Sequence, residues 1–156
     1  MKAVYPGTFD PLTFGHLDVI RRGARLFGSI TIAVAENPGK KPLFSFEERL
    51  EMAAEATKGM KGVRVKGFSG LLVDFLKEEK AGVVLRGLRE TSDFPSEFQQ
   101  AIVNRLLGKD IETVFVMTSP EHFYVTSSVV KEIARLGGDA KAFAPKLVVE
   151  RLLSKF

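Results

Sequence analysis

His16 is one of only two histidines in the 156-residue chain, and it closes a run of turn-forming residues, YPGTFDPLTFGH, Tyr5 to His16. KAVY before it reads as a short buried strand and LDVIRRGARLF after it as a helix, with Pro6-Gly7-Thr8 as the turn between them. A strand, loop and helix N-terminus in that order suit a phosphate. Glycine admits close approach to the backbone, the amides of the first helical turn are free to donate, and the macrodipole favours negative charge. The same dipole disfavours an imidazolium, which leaves His16 as a neutral ring with one hydrogen bond to donate. The alternative for an isolated Gly-His pair is plain helix capping, with Gly7 and Gly15 serving turns.

Three other places carry related chemistry. In VVLRGLRETSDF, Arg86 and Arg89 flank Gly87 and Leu88 at the end of an apolar run, and two planar guanidinium forks suit bidentate phosphate binding, with ion pairing as the alternative. In HFYVTSSVVKEIARLGGD, Thr126, Ser127 and Ser128 lead into a helix; one hydroxyl serves as N-cap, and the others could hold a triphosphate. In ENPGKKPLFS, Lys40 and Lys41 follow a second strand and offer positive charge to the same crevice. No Asp/Glu cluster suggests a protein cage for a metal ion, and the absence of cysteine removes disulfides, thiolate nucleophiles and Cys-based zinc sites.

The elements that must position these residues are legible. Short β-branched runs recur at KAVY, SITIAVA, VRVKGF, GVVLRG and ETVFVMT, and helical spacing appears over 16–27, 46–57, 71–80, 97–107, 128–136 and 145–155. Ser45 followed by Glu48 forms a capping box for the second helix. This alternation predicts an α/β fold, a Rossmann-like doubly wound five-stranded parallel sheet with helices on both faces and C-terminal helices, whose ligands bind beyond the carboxyl ends of the strands. With 45% hydrophobic residues and no repeat or linker, residues 1–156 are expected to form a single domain. The net charge of +4 suits anionic ligands, while the aromatic and basic interleaving of RNA-binding domains is not evident. The N-terminus lacks the apolar core of a signal peptide, and no apolar run approaches the roughly 20 residues that span a bilayer, so a soluble cytoplasmic protein is expected.

Taken in order, YPGTFDPLTFGH, NPGKKPLF, EER, GFSGLLVDF, RGLRETSDF and VTSSVVKEIARLGGD resemble the bacterial phosphopantetheine adenylyltransferase family of the nucleotidylyltransferase superfamily, whose T-x-G-H signature falls on Thr13, Gly15 and His16. The resemblance implies transfer of the adenylyl group of ATP to 4′-phosphopantetheine with magnesium, giving dephospho-coenzyme A and pyrophosphate. It implies catalytic roles for His16, Lys40 and Arg89, and an acceptor site of Thr8, Lys40, Leu72 and Arg86. It implies an ATP site of Thr8, Phe9, His16, Gly87, Leu88, Arg89, Glu97 and the run His122, Phe123, Tyr124, Val125, Thr126, Ser127 and Ser128. Magnesium is expected mainly on the ATP phosphates, with no dedicated metal ligands in the protein. Family membership further implies a homohexamer, feedback inhibition by coenzyme A, and no nucleic-acid or membrane partner. A relative acting on another phosphorylated acceptor and a non-catalytic nucleotide-binding domain are the alternatives. The chain departs from the family pattern at Phe14 (commonly Asn), Pro95-Ser96 (commonly Glu-Tyr), His122 (near a common Trp) and Thr126 (commonly Ser).

Overall fold

The computed structural model describes residues 2–36, 39 and 41–156. Five strands, β1 (Lys2–Gly7), β2 (Ser29–Ala35), β3 (Val63–Phe68), β4 (Val83–Leu88) and β5 (Glu112–Met117), form one sheet in the order β3-β2-β1-β4-β5, with every pairing parallel. Between and after them lie α1 (Phe14–Phe27), α2 (Phe46–Ala56), α3 (Leu72–Glu79), α4 (Phe94–Leu107), α5 (Ser127–Arg135) and α6 (Lys146–Leu153). The expected doubly wound sheet is therefore present.

Period-two alternation sends successive strand residues to opposite cores. Tyr5, Ile30, Ile32 and Leu85 pack with Leu17 and Ile20 of α1 on one face, whereas Val4, Ala33 and Val84 pack with Val73 and Leu76 of α3 on the other. A third cluster joins Phe44 and Met52 to Val130 of α5 and to Val148 and Leu152 of α6. The capping box expected at Ser45 and Glu48 is formed in both directions, at 3.1 and 2.8 Å.

Among the boundaries that differ from the sequence reading, two bear on the site and its surroundings. Pro6 and Gly7 belong to β1 and not to a turn, because β2 pairs with β1 through Gly7. Helix α4 starts at Phe94, with Pro95 in its first turn, where a missing amide hydrogen costs nothing. Helix α4 also has no buried residue, and Phe94, Phe98, Ile102 and Leu106 run along it exposed at four-residue spacing.

At the sheet end remote from the strands' carboxyl termini, Gly62 packs beneath Gly28, and its carbonyl accepts the Ile30 amide at 2.8 Å. Both glycines are left-handed, with φ of 75° and 73°. A Cβ on Gly62 would sit 2.3 Å from the Gly28 carbonyl oxygen, whereas one on Gly28 would meet nothing within 4 Å. Gly62→Ala is expected to lower unfolding free energy by about 2–3 kcal/mol and Gly28→Ala by about 1 kcal/mol in urea titrations, since only the first adds a backbone clash to the dihedral cost.

Candidate active site

Strand β1 pairs with β2 along all of its residues but with β4 only at Ala3–Val83 and Val4–Val84. Beyond Val4 the two neighbours diverge at the point where the sheet's winding reverses, the place where doubly wound folds bind ligands. A cleft of about 620 Å³ opens there. Arg86 crosses the gap, donating from Nη1 to the Pro6 carbonyl at 2.9 Å.

His16 lies in the cleft wall, in the first turn of α1. The Thr13 amide donates to His16 Nδ1 at 3.0 Å, while Thr13 Oγ1 accepts the His16 amide at 3.4 Å. A backbone N–H can only donate, so Nδ1 is unprotonated and the ring's hydrogen is on Nε2. Desolvation, reinforced by the Arg89 and Arg86 charges, lowers the His16 pKa to about 4. The neutral donor expected from sequence is thus present, but burial and the two arginines are the resolved causes. Phe9 packs edge-on to the imidazole with centroids 5.1 Å apart. Its own backbone is left-handed (φ 50°), and its ring fills the space beside Gly7, where a Cβ would approach to 2.9 Å. Gly7 is therefore small for Phe9.

Both arginines are ion-paired within the cleft. Arg86 holds Glu97 through Nε at 2.6 Å and Nη2 at 2.5 Å. Burial opposes the Arg86 charge, but Glu97 outweighs it and raises the pKa above the ordinary value. Arg89 holds Asp93 at 3.2 Å through its side chain and its own amide. Thr126 is the N-cap of α5 and accepts from the Val129 amide at 3.1 Å, and Ser127 Oγ donates to the Pro11 carbonyl at 2.8 Å.

Of the residues singled out from sequence, Thr8, Phe9, His16, Leu72, Arg86 and Gly87 line the cleft, as do Arg89, Glu97, Val125, Thr126, Ser127 and Ser128. Lys41 lines it too, whereas Lys40 lies outside the described residues. Leu88 is buried in the sheet, and His122, Phe123 and Tyr124 stand outside the lining. Gly87 also has a packing reason, since a Cβ there would lie 2.7 Å from Val19 of α1.

Three supporting residues were not singled out from sequence. Arg49, 1% exposed, donates to four carbonyls: Thr8 and Ala35 at 2.7 Å, Glu36 at 3.1 Å and Phe44 at 3.3 Å. It thereby ties the ends of β1 and β2 together. Its place on the same helical stripe as Phe46 and Ala53 was the available signal, because a cation on an apolar stripe must find partners inside. The other two are Asp10 and Lys131, joined at 2.8 Å. Two departures from the family pattern also meet: the rings of Phe14 and His122 lie 6.1 Å apart at 32°. That contact seats the 119–125 segment on α1, next to the Ser119 amide held by Asp18 at 2.8 Å.

A sheet with a phosphate-suited cleft at its switch point, lined by a neutral imidazole donor and two arginines, defines the nucleotidyl-transfer class. The family model described as cytidylyltransferase-like matches residues 4–133. A phosphopantetheine adenylyltransferase of Caldanaerobacter subterraneus is 51% identical over 99% of this chain and 96% of its own length. Proteins of the same name from Dictyoglomus thermophilum and Nitrosomonas eutropha are 51% and 49% identical, over 100% and 99% of this chain and 95% and 94% of theirs. The chain belongs to the phosphopantetheine adenylyltransferases of the cytidylyltransferase-like family.

The lowered His16 pKa has a consequence for stability. The unfolded ring, near 6.5, binds a proton that the folded ring resists until about 4. The neutral ring's contribution is therefore complete above pH 6.5 and is lost as pH falls toward 4. The expected loss is about 2 kcal/mol, discounted because the ring is only partly buried. Urea titrations between pH 7 and 4 should show a shallower pH dependence for His16→Gln than for the wild type.

Proposed function

We propose that the protein transfers the adenylyl group of ATP to 4′-phosphopantetheine, giving dephospho-coenzyme A and pyrophosphate. The observation that carries this reading is the His16 Nε2–H donor fixed between Arg86, Arg89 and the start of α5 in one cleft. Relatives of about half identity along the whole chain, each named a phosphopantetheine adenylyltransferase, supply the substrates.

An oxygen of the acceptor phosphate attacks the α-phosphorus of ATP, a new phosphoanhydride forms, and the bond to the β-phosphate oxygen breaks as pyrophosphate leaves. The nucleophile is already anionic, so no general base is required, and the residues act by alignment and charge stabilisation. His16 donates from Nε2 to an α-phosphate oxygen, more strongly as charge develops there. Lys40 and Arg86 receive the acceptor phosphate, with Leu72 beside the pantetheine arm. Thr8 lies between the two substrates. Arg89 and the hydroxyls of Thr126, Ser127 and Ser128 hold the ATP phosphates, and Phe9, Gly87, Glu97 and Val125 surround the nucleotide.

Magnesium enters in this reading on the ATP phosphates. The described residues bring no three carboxylate or imidazole groups together, and the cleft carboxylates of Asp10 and Glu97 are covered by Lys131 and Arg86. These side chains do not fit a resident magnesium site, so no step depends on one.

The same reading includes a cytoplasmic homohexamer inhibited by coenzyme A. No described helix is long and apolar enough to cross a membrane. The stripe of Phe94, Phe98, Ile102 and Leu106 supports burial of α4 in an assembly, because it is a contiguous apolar face that the described residues leave exposed. Light scattering should give six chain masses, and a single-chain mass would remove the oligomer.

Purified protein with ATP, magnesium and 4′-phosphopantetheine should release pyrophosphate, faster than with nicotinamide mononucleotide or glycerol phosphate as acceptor. No release with any acceptor rejects adenylyl transfer; faster release with another acceptor reassigns the substrate. His16→Ala should lower kcat by at least about a hundredfold, comparable to losing one transition-state donor. Wild-type kcat/KM, which reports the free protein, should show no His16 step between pH 6 and 8, since burial and the two arginines lower its pKa to about 4.

A further inference from the structure

Two carboxylates, Asp10 and Glu97, line a cleft suited to several phosphates, where an unneutralised anion would repel them. Glu97 is neutralised by Arg86, which already has a place in the site. Asp10 is 6% exposed and lines the same cleft. Its Oδ2 accepts the Leu43 amide and its Oδ1 the Phe44 amide, both at 2.9 Å. Those bonds explain why an acid is kept there: they fix the segment after Lys41 and seat the Phe44 ring, 1% exposed, in the core beneath α5. Amides carry no net charge, so they leave the carboxylate's field facing the cleft.

We propose that Lys131 is a positioning residue that masks the Asp10 carboxylate and so makes this wall of the cleft acceptable to phosphate. Lys131 Nζ meets Asp10 Oδ2 at 2.8 Å and is the one ion-pair partner of Asp10 among the described residues. It stands one helical turn beyond Ser127 and Ser128, and its side chain keeps about a third of its surface at the cleft. The ammonium cancels the negative charge where it would act on incoming phosphates. The pair also ties α5 to the segment after Lys41. The inference rests on the adenylyl-transfer reading only for the identity of the anions.

The test is calorimetric titration of the full chain with inorganic pyrophosphate, ATP and uncharged adenosine. Lys131→Met should weaken pyrophosphate and ATP by at least about tenfold, because it uncovers a unit charge in a partly desolvated cleft. Adenosine affinity should change less than about threefold, and Lys131→Arg should restore both anions. In the Asp10→Asn, Lys131→Met double variant, pyrophosphate should bind more tightly than to Lys131→Met alone. If the double variant does not fold, the contrast between Lys131→Arg and Lys131→Met decides. Unchanged pyrophosphate affinity in Lys131→Met, an equal loss for adenosine, or no pyrophosphate binding by the wild type overturns the mask. Wild-type protein that shows the predicted anion pattern yet releases no pyrophosphate from ATP and 4′-phosphopantetheine instead rejects the adenylyl-transfer reading and leaves the mask standing.

Discussion

The interruption of the ladder between β1 and β4 is the constraint on which the site depends. Adjacent parallel strands usually stay in register along their length, but here pairing ends at Val4–Val84 and the carboxyl ends separate. Pro6, with no amide hydrogen to contribute, sits just past that end, and the guanidinium of Arg86 spans the opening to the Pro6 carbonyl. A cleft made this way has its floor set by the strand ends, while α1, α4 and α5 and the segments before them supply its walls.

Interior charges then fix the rim. Arg49 gathers the carbonyls at the ends of β1 and β2, and Asp10 gathers two amides from the segment leading into α2. Burial pulls the Arg49 pKa below its ordinary value, with Asp10, Glu47 and Glu36 opposing the shift, yet a guanidinium starts so high that it stays charged. Carbonyls and amides near strand ends have no ladder partner, and leaving them buried without one would cost about 1–3 kcal/mol each. The charges are thus structural and also place the field that an incoming phosphate meets.

His16 illustrates how packing selects one chemical form. Its proton is placed on Nε2 by the Thr13 amide, its neutrality follows from desolvation beside Arg89 and Arg86, and its ring plane is set by Phe9. The strained backbone of Phe9 and the missing side chain of Gly7 belong to the same arrangement. On the other side of α1, Phe14 and His122 meet ring to ring, so two unfamiliar residues form one contact.

Much of this was legible in the chain. The short β-branched runs, the Ser45–Glu48 box and the glycine-rich corner before His16 are local signals, and local sterics and hydrogen bonding are enough to read them. They gave the alternating elements and the order of the strand-end motifs, and the matches to known relatives established the family. Other features were not local. Whether Arg86 and Arg89 would be free or paired depended on Glu97 and Asp93 arriving from the turn and helix after β4. The partnership of Asp10 with Lys131, 121 positions apart, and the four carbonyls on Arg49 required distant backbone to converge. Periodicity reports which face a residue occupies, but the charge it will meet there is decided only when separate elements pack and exclude water between them.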